Sequence, residues 1–213
     1  MKKFFLAMMI FLLNFSVTSA AQIDSAEYLS DENLIYPVVI TNNAEVSGKI
    51  NAVIRTEIEN FLVRVNVMAT DGYEVSEVQA VSTNFEIPCN YENGILSIIL
   101  TEYVNFKGSA HPSTFRKTLN FNTDSGVRLT ADTLSEIAHE EFGESSYSPK
   151  NLTRKLKIYA EKNNIQLYND FQQLTNIPED FYFDDDLHVH FIFQQYEVAP
   201  YAAGIIEFDA DAL

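Results

Sequence analysis

The segment Ile95 to Tyr103 is apolar on both parities, and its longest apolar run, Ile95 to Leu100, is interrupted by Ser97. Successive side chains of an extended strand point to opposite faces, so a strand with this pattern must be covered on both. The chain therefore has to place this segment centrally in a sheet, with one layer above it and another below. One covering layer is close in sequence. Val46, Ile50, Val53, Ile54, Ile58, Phe61, Leu62 and Val65 recur at helical spacing, with Asn51, Arg55 and Glu59 on the opposite side. This is the strongest helical pattern in the chain.

The remaining elements read as strands and short helices. Tyr36-Pro37-Val38-Val39-Ile40 after a polar lead-in predicts an edge strand, because proline lacks the donor that an inner ladder needs. Tyr73 and Val75 share a parity that Val81, Thr83, Phe85 and Ile87 resume after a disturbance at Glu77-Val78, which predicts a bulged strand. Asn93-Gly94 then turns it into the central strand as a hairpin. Beyond the Lys107 to Pro112 loop, Phe115, Lys117, Leu119 and Phe121 alternate with polar residues, and Asp124-Ser125-Gly126 forms a turn. Asp132 is expected to cap a helix carrying Leu134, Ile137, Ala138 and Phe142. Ser148-Pro149 opens another with Leu152, Leu156, Tyr159 and Ala160, ending near Asn163-Asn164. Phe181 to Phe183, a turn at Asp184-Asp185-Asp186, and Leu187 to Phe193 predict a hairpin, with a last strand at Ile205 to Phe208. The Lys107 to Pro112 loop is the expected boundary between two units, 22–107 and 108–213, that share a continuous interface.

The first 21 residues carry an export pattern: basic Lys2-Lys3, apolar Phe4 to Leu13, and the small residues Thr18-Ser19-Ala20-Ala21. The apolar stretch breaks at Asn14, short of the roughly 20 residues a spanning helix needs. Cleavage near Ala20 or Ala21 is expected, giving an extracytoplasmic protein, secreted, periplasmic or at the cell surface, with no later membrane span. The 213 residues include 14 Lys+Arg against 30 Asp+Glu, a formal net charge of −16. Such a surface repels nucleic acid and anionic headgroups and steers cationic partners toward it, although acidity also serves solubility alone. Cys89 is the single cysteine, so the chain forms no internal disulfide.

Few residues offer chemistry. His188 and His190, two apart on an expected strand, would present both imidazoles on one face and with a carboxylate could hold zinc, which would make the chain a metal-dependent cell-wall hydrolase. The third ligand is unspecified; Asp184 to Asp186, Glu197 and His111 are the options, and a polar strand face is the plainer reading. Ser109, in Gly108-Ser109-Ala110-His111, lacks the nucleophile elbow and reads as a turn residue. No glycine-rich phosphate loop is present, and no cofactor is expected. The segment Gln195 to Gly204 places Tyr196, Glu197, Pro200 and Tyr201 around a rigid bend, more aromatic and polar than a plain connection requires.

Three blocks carry a family resemblance: Phe106 to Pro112; Thr118 to Thr123 with Gly126 and Leu129; and Phe193 to Gly204 with its Tyr196-Glu197-Val198-Ala199-Pro200-Tyr201 core. They resemble a bacterial extracytoplasmic domain-of-unknown-function family found in the lysozyme-binding part of the anti-sigma factor RsiV and beside the catalytic domain of some exported peptidoglycan deacetylases. The resemblance implies an α+β fold, a small helix-on-antiparallel-sheet unit packed against a second, larger α+β unit, with the blocks as loops near the junction. It implies a non-enzymatic recognition module of the cell envelope, binding a cationic protein such as lysozyme or a cell-wall component such as peptidoglycan. Tyr196, Glu197, Pro200 and Tyr201 would supply the contacts, with His111 close by. A cleavable signal in place of a membrane span, and the lack of a catalytic domain, set the chain apart from both relatives. A structural envelope protein without a dedicated ligand is the remaining alternative.

Overall fold

The computed structural model describes residues 20–70, 77–91, 94–142 and 146–213. The expected signal segment up to Ser19 lies outside the described residues, as do Tyr73, Val75 and Asn93. The elements are β1 (Gln22–Tyr28), β2 (Asp31–Ile40), α1 (Ala44–Thr70), β3 (Val78–Tyr91), β4 (Ile95–Phe106), β5 (Ser113–Asn122), β6 (Arg128–Leu129), α2 (Ala131–Phe142), α3 (Pro149–Lys162), β7 (Phe181–Phe183), β8 (Val189–Phe193) and β9 (Ile206–Asp209). They form an α+β fold. Six strands lie in the order β1-β2-β3-β4-β5-β6, and a smaller antiparallel sheet has the order β7-β8-β9. Among the described residues no helix is long and apolar enough to cross a membrane.

β4 is the central strand its pattern demands. Leu96, Ile98 and Leu100 meet Val46, Ile50, Ile54 and Ile58 of α1, and further along Val104 meets Phe61 and Val65. On the other face Ile99 meets Tyr182 and Ile192 of the smaller sheet. Burying each such side chain contributes about 1.5–3 kcal/mol, so α1 owes its position to this stripe. Ser97, which breaks the apolar run, has a specific task. Its Oγ donates to Asn120 Oδ1 (2.7 Å), Asn120 Nδ2 donates to Phe181 O (2.6 Å), and the Phe183 N–H donates to Ser97 Oγ (3.0 Å). Two buried side chains thus act as a rung joining the large sheet to β7. A third cluster packs Phe181, Phe191, Phe193 and Phe208 of the small sheet against Leu152 and Leu156 of α3.

Several elements differ from the sequence reading. The polar lead-in is itself a strand, β1, which pairs antiparallel with β2 through the two-residue turn Leu29-Ser30, both at positive φ (52° and 62°). Pro37 consequently lies on the second strand of the sheet instead of its edge. The proline rule still holds locally, because β2 pairs with β3 only at Leu34↔Thr83. Past that point the amide of Asn51 takes the place of a neighbouring strand, accepting from Val39 N–H and donating to Val39 O, both at 2.8 Å. Pro37 shares the parity of Val39, so its nitrogen points to this unladdered side. The helix-bearing sheet is mixed, not antiparallel, because α1 is the crossover between β2 and β3 and a crossover returns the chain in parallel. It is also the larger of the two sheets. β5 continues it directly beyond the 107–112 loop, pairing with β4 from Val104↔Ser113 to Ile95↔Asn122.

Helix starts follow capping chemistry. Ser148 Oγ accepts from Asn151 N–H (3.3 Å) ahead of Pro149 at the first helical position of α3. At α2 the hydroxyl of Thr130, not Asp132, accepts from the backbone (Thr133 N–H, 3.4 Å), and Asp132 sits in the first turn. β8 begins at Val189, two residues later than its pattern suggested, because Leu187 takes a positive φ (63°) and ends the turn.

Candidate functional site

Two loops meet at one end of β5. The first follows β4, where Gly108 (φ 81°) reverses the chain and delivers His111. The second leaves β8 at Gln194, bends at Pro200, makes a single 3-10 turn over Tyr201–Ala203 and exits through Gly204 (φ 72°). Their junction is fixed by two buried or half-buried side chains. Gln194 accepts from Arg116 N–H (3.0 Å) and donates to Arg116 O (2.8 Å), extending the open edge of β5 as a strand would. Asp180 accepts from Lys117 Nζ (2.7 Å), Thr118 N–H (3.1 Å) and Gln194 Nε2 (3.0 Å). Nothing in the local sequence pattern marks these two residues, since their partners on β5 lie more than 60 positions away.

On this base stand three rings. His111 stacks on Tyr201 with centroids 3.6 Å apart and planes 17° from parallel. Its Nε2 lies 3.0 Å from the Tyr196 hydroxyl, and its Nδ1 lies 3.1 Å from Pro112 O. A carbonyl only accepts, so Nδ1 donates and Nε2 accepts from the tyrosine in the neutral ring. Tyr196 and Tyr201 complete the cluster at 5.6 Å. Tyr196 occupies the third position of the turn closed by Glu197 N–H to Gln194 O (3.1 Å), with φ at 67°. Left-handed backbone costs a residue other than glycine about 1 kcal/mol. The turn nonetheless holds a tyrosine there, 55% exposed.

Of the five residues singled out from sequence, His111, Tyr196 and Tyr201 are thus brought together, while Glu197 and Pro200 take other places. The Glu197 carboxylate turns back to accept from Gln194 N–H (2.7 Å) and lines a cleft of about 660 Å³ shared with Asp132, Ser135, Leu174, Ile177 and Glu179. Partial desolvation, helped by Asp180 and opposed by the Gln194 amide, raises its pKa. The described lining includes three carboxylates and no Lys or Arg. Pro200 is exposed and accepts from Ala203 N–H (2.9 Å), so it sets the bend.

The two histidines expected on one strand face are held apart. His188 precedes β8 and its Nδ1 pairs with Asp209 (3.1 Å), a hydrogen bond that raises its pKa. His190 lies on β8, stacks on Tyr182 (4.7 Å, 11°) and meets Asp184 with Nε2 (2.9 Å). Each imidazole has its own carboxylate. Among the described residues no group of three or more His, Cys, Asp or Glu side chains gathers as metal ligands would. Ser109 Oγ donates to Phe106 O (2.8 Å), as a turn hydroxyl does, and among the described residues it forms no hydrogen bond with His111. Buried Cys89 has its thiol pKa pushed up to about 11 by desolvation, far from thiolate chemistry.

Residues 127–209 match the family model described as "Protein of unknown function (DUF3298)". The matched span includes the block from Phe193 to Gly204 and Leu129, and leaves out Phe106 to Pro112, Thr118 to Thr123 and Gly126. A crystal structure of a DUF3298 family member from Bacteroides fragilis NCTC 9343 is similar at a TM-score of 0.50 and 16% identity, covering 91% of each chain, and shares the fold. A DUF3298 family protein from Pseudomonas aeruginosa PAO1 gives 0.46 and 15% identity over 92% of each chain. Comparison with curated proteins gives no match.

Proposed function

We propose from the geometry of this chain, part of which (residues 127–209) resembles a family whose function is unknown, that it is a recognition module that binds a cationic protein, such as a lysozyme, and catalyses nothing itself. The observation that carries this reading is Tyr196: an exposed aromatic ring, held in unfavourable backbone and braced by two further rings, beside an acidic cleft. Strained residues persist where the surrounding structure over-determines them, and such sites are enriched in function. A rigid, half-exposed tyrosine gives contact area at low entropic cost, which is how interface anchors work. The charge favours a cationic protein over an uncharged glycan. At −16 overall, the chain attracts a basic partner from a distance, and Asp132, Glu179 and Glu197 receive its lysines or arginines at close range. The export pattern at Lys2 to Ala21 supports a meeting place beyond the cytoplasmic membrane, at the cell envelope.

Calorimetric titration with a basic lysozyme tests the reading. Saturable binding that weakens from low to high salt is the expected result, because exposed charges are screened within about 10 Å at 0.1 M salt. A flat trace at low salt removes the cationic partner.

A further inference from the structure

In a chain with 14 Lys+Arg, α3 alone carries five: Lys150, Arg154, Lys155, Lys157 and Lys162. Lys155 is turned inward, where its Nζ donates to Ala210 O. Lys150, Arg154 and Lys157 are exposed and recur at i, i+4 and i+7, which puts them on one face. Their spacing along the helix axis is about 6 Å and then about 4.5 Å at 1.5 Å per residue. This face forms one wall of a groove of about 410 Å³, with Gln172 and Gln173 as the other wall and Glu161 at its C-terminal end. Lys157 is fixed there, Nζ donating to Gln172 O (2.8 Å) and lying 5.7 Å over the Phe171 ring. Among the described residues neither Lys150 nor Arg154 forms an ion pair.

Helix stability does not account for these cations. The first turn of α3 has no acidic residue, whereas α1 has Glu45 and α2 has Asp132. A lysine in a first turn opposes the helix dipole by a few tenths of a kcal/mol, so Lys150 is placed against local preference. We propose that this groove docks a linear phosphodiester polymer, whose regularly spaced charges match three cations in a row. The overall charge of −16 opposes any anionic occupant at long range, so the match is local, between the three cations of this face and successive phosphates. A membrane surface would require apolar residues to insert, and none of the large exposed hydrophobic residues lies on α3.

A short glycerol phosphate oligomer titrated into the full chain at low salt is the probe. Saturable binding is expected, with log K falling against log salt at a slope of about 2, as for three neutralised phosphates on a flexible strand. The variant K150Q/R154Q/K157Q should lose about tenfold or more in affinity and most of that slope. Its circular dichroism should stay unchanged and its binding of basic lysozyme should not weaken, which separates this groove from the aromatic site. No saturable binding at low salt, equal affinity in the triple variant, or equal binding of a polyglutamate of the same length would overturn the proposal. So would concentration-dependent self-association that the triple variant abolishes, which would make a second copy the occupant.

Discussion

Glu102 is a residue whose burial works against its charge. It lies on β4 with 0% of its surface exposed, Oε2 accepting from Arg64 Nη2 (2.6 Å) and Oε1 without a partner. Desolvation pushes its pKa up to about 7, against the pull of Arg64 and Lys117 and with a further push from Glu57. A carboxyl with a raised folded pKa holds its proton where the unfolded chain has lost it. Stability from this group is therefore full below the unfolded value and declines as pH rises toward 7. Comparing urea unfolding of wild type and Glu102→Gln at about pH 5 and pH 8 should show that the substitution removes a loss on the order of 2 kcal/mol. An identical pH slope in both proteins would contradict this placement. Tyr196 invites a different exchange. Tyr196→Gly relieves the left-handed strain while deleting the ring, so stability should stay within about 1 kcal/mol of wild type. Lysozyme binding should fall at least about tenfold. If unfolding measurements show a large loss of stability instead, the ring serves packing. Neither property was readable beforehand. The Tyr196 hydroxyl and the Glu102 carboxylate meet partners 85 and 38 positions away, His111 and Arg64.

At the scale of elements, local pattern and capping chemistry determined much of the outcome. α1, the doubly covered β4, the Ser148-Pro149 start of α3 and the hairpin around Asp184 are visible in periodicity, proline placement and turn residues. β1 is not, because it is half-buried and polar, and its turn, Leu29-Ser30, uses neither glycine nor asparagine. Side-chain amides that substitute for strands are equally silent in sequence: Asn51 on Val39, Gln194 on Arg116, and Asn90, whose amide brackets Ala21 N–H (3.0 Å) and O (2.8 Å). The most consequential of these polar links is the buried Ser97–Asn120 rung. Asn120→Ala would leave Phe181 O without its donor and the Ser97 hydroxyl proton without its acceptor in the interior, and should lower stability by about 2–4 kcal/mol in chemical denaturation. A loss under about 0.5 kcal/mol would mean that the two sheets are joined by apolar packing alone.

For the whole molecule, charge is distributed unevenly around a continuous frame. The large sheet runs through the 107–112 loop into β5, so the aromatic cluster rests on the same sheet that α1 covers. The acidic cleft and the basic groove of α3 use different sides of the same helix: Pro149 lines the first, Lys150 and Arg154 the second. Net charge was legible in composition, and the cluster of His111 with Tyr196 and Tyr201 was anticipated through resemblance. The cleft and the groove required the fold, since each joins segments distant in sequence. Hydrogen–deuterium exchange of the chain with and without saturating basic lysozyme tests the central claim most directly. New protection should concentrate in the 107–112 loop and the 194–204 segment. Protection confined to α3 or to the β1–β2 hairpin, with those two loops exchanging as before, would contradict it.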